Sequence, residues 1–135
     1  MMPVRILVVE DSDTTRRMIR AVLQTRDWII CGEAENGLAG VAEFQKLRPD
    51  VVVLDLTMPG INGIEAAHRM SRLDPGVPLI LFTLCEFDES HELRGAAREA
   101  GIYATVSKHS ALDLVDTIES AIEVRGNSNH GIHYR

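Results

Sequence analysis

Residues 51–55 read Val51-Val52-Val53-Leu54-Asp55, four branched apolar side chains in a row closed by an acid. Such a run suits a strand covered on both faces, as in a parallel sheet, and the carboxyl end of that strand is where open α/β sheets place their ligand crevice. The same pattern stands near the start, where Ile6-Leu7-Val8-Val9 is closed by Glu10-Asp11. If the two strands are neighbours, three carboxylates converge at one end of the sheet. Like charges at close range raise one another's pKa or gather a divalent cation, and oxygen-only ligands suit Mg²⁺, which takes one or two carboxylates and keeps several waters. The two strand ends therefore predict a metal-assisted carboxylate site.

Outward from these runs, short apolar stretches alternate with helical patterns, the signature of repeated βα units around a parallel sheet. Strands are predicted at Arg5 to Val9, Trp28 to Gly32, Val51 to Leu54, Pro78 to Phe82 and Tyr103 to Val106. A helix follows each. Asp13 is placed to cap one that carries Met18, Ile19, Val22 and Leu23 on one side, and Asn36 another that carries Leu38, Val41, Ala42 and Phe44. Three more are predicted from Gly63 to Leu73, Asp88 to Ala100 and Ser110 to Val124, with Gly101 a natural stop for the fourth. Pro59-Gly60 and Asn62-Gly63 force a turn after Asp55, and Pro75-Gly76 with Pro78 breaks the chain before the fourth strand.

With 135 residues, 45% of them hydrophobic and 25% charged, the chain fits one domain with a real core. Residues 1–125 are read as that domain and 126–135 as a polar, flexible tail. The net charge of -6 argues against direct nucleic-acid binding, which calls for a basic patch. No run is long enough to span a membrane and no signal-peptide segment precedes the first strand, so the cytoplasm is expected. Cys31 and Cys85 lack metal-site spacing and read as free thiols, buried or partly buried.

Over about residues 4 to 124 the chain resembles the receiver domains of bacterial two-component response regulators. The resemblance is carried by Glu10-Asp11, by Asp55-Leu56-Thr57-Met58-Pro59-Gly60 with Gly63, by Thr83 at the end of the fourth strand and by Lys108 after the fifth. It implies a five-stranded parallel sheet in a (βα)5 flavodoxin-like three-layer sandwich, with Asp55 accepting a phosphoryl group from a histidine kinase, a phosphotransfer protein or a small phosphodonor. By the family pattern Asp11, Asp55 and the backbone carbonyl of Thr57 bind Mg²⁺, with Mn²⁺ as a substitute, and Glu10 acts through a metal-bound water. Lys108 and the metal would neutralise phosphoryl oxygens that carboxylates alone repel, since phosphoryl transfer asks chiefly for positioning and charge stabilisation. Thr83 would donate its hydroxyl to the phosphoryl group and draw the following loop inward. The chain would thus catalyse only its own phosphoryl uptake and loss. It would signal through the surface of the fourth helix, fifth strand and fifth helix, including Leu93, Thr105 and Val115, to a protein target or a second copy.

Each position has a plainer reading. Asp55 could cap a turn, Lys108 could be solvated surface, and Thr83 could be a satisfied hydroxyl at a strand end. Some residues also depart from the family. Thr105 stands where many receivers carry an aromatic switch residue; because side chains alternate along a strand, Tyr103, two residues earlier, would share its face. Leu84 replaces the usual small residue after Thr83, and His109 replaces a proline after Lys108, so a trans peptide is expected there. Ser90-His91-Glu92-Leu93-Arg94 resembles a sensor-kinase histidine box but lacks its Thr-Pro continuation, and His130-Gly131-Ile132-His133 lacks further ligands for a metal. A flavin carrier would want a phosphate loop rich in Ser, Thr and Gly after the first strand, where Glu10-Asp11-Ser12-Asp13 would repel a phosphate, and an aspartyl-phosphate hydrolase a second aspartate where Thr57 stands. The remaining rival is a receiver-like interaction module that works without phosphorylation.

Overall fold

The fold is described from a computed structural model over residues 2–84 and 91–132; at His91 and over 127–132 only the backbone is described. The elements run β1 (Arg5–Val9), α1 (Asp13–Leu23), β2 (Ile29–Ala34), α2 (Gly37–Leu47), β3 (Val51–Leu54), α3 (Gly63–Leu73), β4 (Leu79–Thr83), α4 (His91–Glu99), β5 (Ile102–Ser107) and α5 (Ala111–Ile132). All strand pairings are parallel, in the order β2-β1-β3-β4-β5. The two acid-tipped strands are neighbours, with Val9 level with Leu54. Glu10 and Asp55 therefore leave the sheet side by side.

Strand alternation sends successive side chains to opposite faces. Ile6, Val8, Val51, Val53, Ile80 and Phe82 pack under α1 and α5 against Ile19, Leu23, Leu114 and Ile118. Leu7, Val9, Val52, Leu54, Leu79 and Leu81 face α2 and α3 through Phe44, Ala66, Ala67 and Met70. This is the expected three-layer sandwich. Each fully buried aliphatic side chain contributes about 1.5–3 kcal/mol, so a sheet buried on both faces forms a rigid floor for the groups at its rim.

Helix α1 is capped by Ser12, whose extended backbone lets its hydroxyl accept from the Thr15 amide at 3.2 Å. The expected cap Asp13 is instead the first helical residue, paired through its carboxylate with Arg17 and Arg16. Asn36 and Asn62 cap α2 and α3 through their side-chain carbonyls, at 2.8 Å and 2.9 Å. Gly101, at φ 83, adopts the left-handed conformation that ends α4.

Strand β2 reaches Ala34, two residues past the predicted Gly32, because Val9 pairs with Ala34 and the Glu10 amide donates to its carbonyl at 2.9 Å. Strand β4 begins after Pro78, which has no amide hydrogen, although its carbonyl still accepts from Val52. The predicted start of the fourth helix, Asp88 to Ser90, lies outside the described residues, as does Cys85. Helix α5 continues to Ile132, past the expected end at Val124; Gly126 lies inside it, at a cost of only about 1 kcal/mol relative to alanine. No described helix is long and apolar enough to cross a membrane. Cys31 is a half-buried free thiol, and burial pushes its pKa up.

Candidate functional site

The carboxylates of Glu10, Asp11 and Asp55 each present an oxygen such that all three lie within 4.8 Å of one another. Glu10 and Asp55 are 1% and 6% exposed, while Asp11 is open to solvent. Both buried acids extend the ladder: the Asp55 amide donates to Val9 at 3.1 Å and the Glu10 amide to Ala34. Lys108 enters from the end of β5. Its amide donates to the Thr83 carbonyl at 3.0 Å, and its Nζ lies 3.0 Å from Asp55 Oδ2 and 2.7 Å from Glu10 Oε1. Thr83, 2% exposed, closes β4 beside it. Among the described residues no peptide bond is cis, including Lys108–His109.

Thr57 sits in the exposed loop between β3 and α3, held between buried Leu56 and Met58. The far end of that loop is fixed by Gly63, whose amide donates to Leu56 at 2.8 Å. A Cβ on Gly63 would lie 2.0 Å from the Asp55 carbonyl oxygen, so only glycine allows α3 to start against the backbone of Asp55.

Charge in the pocket is unbalanced. Burial, reinforced by Asp11 and Asp55, pushes the Glu10 carboxyl above its usual range despite Lys108 and the Ser12 amide, which donates to Oε2 at 3.0 Å. Burial works against the Lys108 ammonium, but Glu10 and Asp55 outweigh it and hold its pKa above the usual lysine value. The aligned hydrogen bond of Nζ goes to Asp55, so its approach to Glu10 is a charge contact that leaves Glu10 Oε1 buried without an aligned donor. Three hard oxygen donors around one ammonium, with a buried oxygen still unsatisfied, fit a hydrated Mg²⁺.

One neighbour of the pocket escaped the sequence reading. Arg16 is 8% exposed and donates from Nη1 to the Glu10 carbonyl at 2.6 Å. Its signal is in the helical pattern: Arg16, Ile19 and Leu23 share the buried stripe of α1, and an arginine at such a position requires partners.

Other expectations are corrected. The pairing of β4 with β5 shifts register between Leu79 and Ile80, so Tyr103 and Thr105 do not share a face. The Tyr103 hydroxyl lies 2.8 Å from that of Ser120 on α5, whereas Thr105 pairs with Leu81, which packs on the α2 and α3 side. Val115 is 6% exposed in the core and cannot contribute to the expected output surface. Ser90 of the histidine-box look-alike, and the side chains of His91 and of the 130–133 segment, lie outside the described residues.

Fold and site together define a (βα)5 domain with an acidic pocket and a lysine at the carboxyl end of its sheet. The family profile described as response regulator receiver domain matches residues 6–119, and the chain belongs to this family of two-component signalling domains. It is 39% identical over 111 residues to a protein-glutamate methylesterase/protein-glutamine glutaminase of Alkalilimnicola ehrlichii, covering 82% of this chain and 28% of that protein. It is 35% identical over 77 residues to the chemotaxis protein CheY of Thermotoga maritima, covering 57% of this chain and 64% of that one. The chain thus spans less than two thirds of these relatives. The response regulator domain of Thermotoga maritima CheB superposes with a TM-score of 0.81 at 26% identity, covering 90% of this chain and 98% of that domain.

Proposed function

We propose that the chain is a phosphoacceptor receiver of a two-component phosphorelay, switched by Mg²⁺-dependent phosphorylation of Asp55. The observation that carries this reading is the contact of one half-buried lysine with two buried carboxylates at the ends of three different strands. An Asp55 oxygen attacks the phosphorus of a phosphohistidine or small phosphodonor, the bond to the donor breaks, and the donor leaves with the electron pair. Asp11, Asp55 and the Thr57 carbonyl are the residues that would hold the metal, with Glu10 reaching it through a water. The cation supplies charge neutralisation at the transferring oxygens. Lys108 exchanges its bond to Asp55 for one to a phosphoryl oxygen, and the Thr83 hydroxyl donates to another.

The output is read through the surface of α4, β5 and α5, by a protein target or a second copy, in the cytoplasm. A histidine kinase or phosphotransfer protein is the donor. Leu84, exposed to 59% directly after Thr83, favours the second reading, an interaction module independent of phosphorylation. Radiolabelled acetyl phosphate separates the two. The phosphoacceptor reading expects label only when Mg²⁺ is present, and a folded chain that stays unlabelled leaves the interaction module.

A further inference from the structure

Arginine is almost never buried without partners, and the partners of Arg16 are unequal. Its guanidinium meets Asp13 Oδ1 at 2.9 Å, Glu33 Oε1 at 3.4 Å and Glu35 Oε1 at 3.7 Å. The side chains of Asp13 and Glu35 are 60% and 78% exposed, where solvent screens an ion pair to little value. Glu33 is already gripped by Arg20 through two bonds of 2.6 Å. What remains is the buried bond from Nη1 to the Glu10 carbonyl.

That carbonyl belongs to the peptide joining Glu10 to Asp11, so a donor held against it fixes the plane from which the Asp11 side chain departs. The Ser12 amide holds Glu10 Oε2, and the Ser12 hydroxyl caps α1 on the far side. Resting on the phosphoacceptor reading, we propose that Arg16 is a positioning residue: its bond to the Glu10 carbonyl sets where the Glu10 and Asp11 carboxylates stand relative to Asp55. Mg²⁺ demands near-ideal octahedral geometry, whereas Ca²⁺ tolerates irregular coordination. A loosened loop therefore penalises Mg²⁺ more than Ca²⁺.

Coulomb's law alone makes the opposite forecast, because removing a positive charge bonded to the Glu10 backbone, next to an acidic pocket, tightens cation binding. Mg²⁺ and Ca²⁺ affinities of the parent, Arg16→Met, Arg16→Lys and Glu33→Gln, measured by calorimetry, distinguish the two. Arg16→Met, which keeps the helix stripe filled, is expected to bind Mg²⁺ about tenfold or more weaker, the usual effect of losing a residue that orients a ligand. Its Ca²⁺ affinity falls less. Arg16→Lys keeps the charge but not the fork, and lies between. Glu33→Gln retains the Glu10 bond and matches the parent. A folded Arg16→Met with parental or tighter Mg²⁺ binding, or an equal loss for both ions, overturns the proposal. Should Arg16→Met not fold, parental Mg²⁺ affinity in Arg16→Lys does so. A parent that binds no Mg²⁺ overturns the phosphoacceptor reading itself, a separate and recognisable result.

Discussion

Replacing Gly63 by alanine tests how Asp55, the proposed acceptor, is held in place. The added Cβ would stand 2.0 Å from the Asp55 carbonyl oxygen, 2.8 Å from its carbonyl carbon and 2.9 Å from the Leu56 Cα. Ordinary contact begins at 3.4 Å, so the oxygen alone requires the two backbones to part by 1.4 Å. All three of these nearest atoms are main chain, and none can rotate away. Overpacking of this kind costs about 1–3 kcal/mol, and the upper half of that range applies where backbone must move. The intrinsic helix preference of alanine returns at most about 1 kcal/mol. Gly63→Ala is therefore expected to lower the urea midpoint at unchanged slope. Because the displaced backbone carries Asp55, labelling by acetyl phosphate should slow by up to roughly a hundredfold, the effect of an ångström-scale misplacement. Gly95→Ala is the control: among the described residues nothing lies within 4 Å of its added Cβ, and it should stabilise α4 by up to about 1 kcal/mol. A Gly63→Ala variant as stable and as readily labelled as the parent would refute the close approach of α3 to Asp55.

Mg²⁺ at a hundred times its Kd should raise the unfolding free energy of the parent by about 2.7 kcal/mol, and a chelator should remove that gain. Glu10→Gln, read by thermal melting, should be more stable than the metal-free parent at neutral pH, because burial already disfavours the charged form of Glu10, and should gain less from Mg²⁺. Arg20 holds the Glu33 carboxyl below its unfolded value of 4.5, so this pair stabilises the fold above pH 4.5 and the contribution is lost as pH falls through the lower folded value. Stability curves of the parent and Glu33→Gln should accordingly differ near neutrality and converge in acid; parallel curves would contradict the pairing.

The acid pocket was legible because its parts sit at strand ends, and strand ends are where apolar runs stop. Val51 to Asp55 and Ile6 to Asp11 each announce a buried strand and its rim, and parallel topology does the rest. The convergence of Lys108 on Glu10 and Asp55 was not visible in the same way. It depends on β5 lying beyond β4, which only the resemblance supplied. Arg16 is hard to see in the sequence because the stripe of α1 is marked by its apolar members, and a charged residue in the same stripe does not stand out. Tyr103 was misplaced because a register shift between Leu79 and Ile80 interrupts the alternation on which the inference relied. The end of α5 was missed because helical backbone continues through Gly126 after the apolar pattern has faded.

Intact mass spectrometry of the parent and Asp55→Asn, incubated with acetyl phosphate in Mg²⁺ and in chelator, tests the central claim most directly. The account predicts a single phosphoryl adduct on the parent, present only with Mg²⁺, mapping to the peptide that carries Asp55 and missing from folded Asp55→Asn. An adduct of the same yield on Asp55→Asn, or none on a folded parent in Mg²⁺, would contradict it.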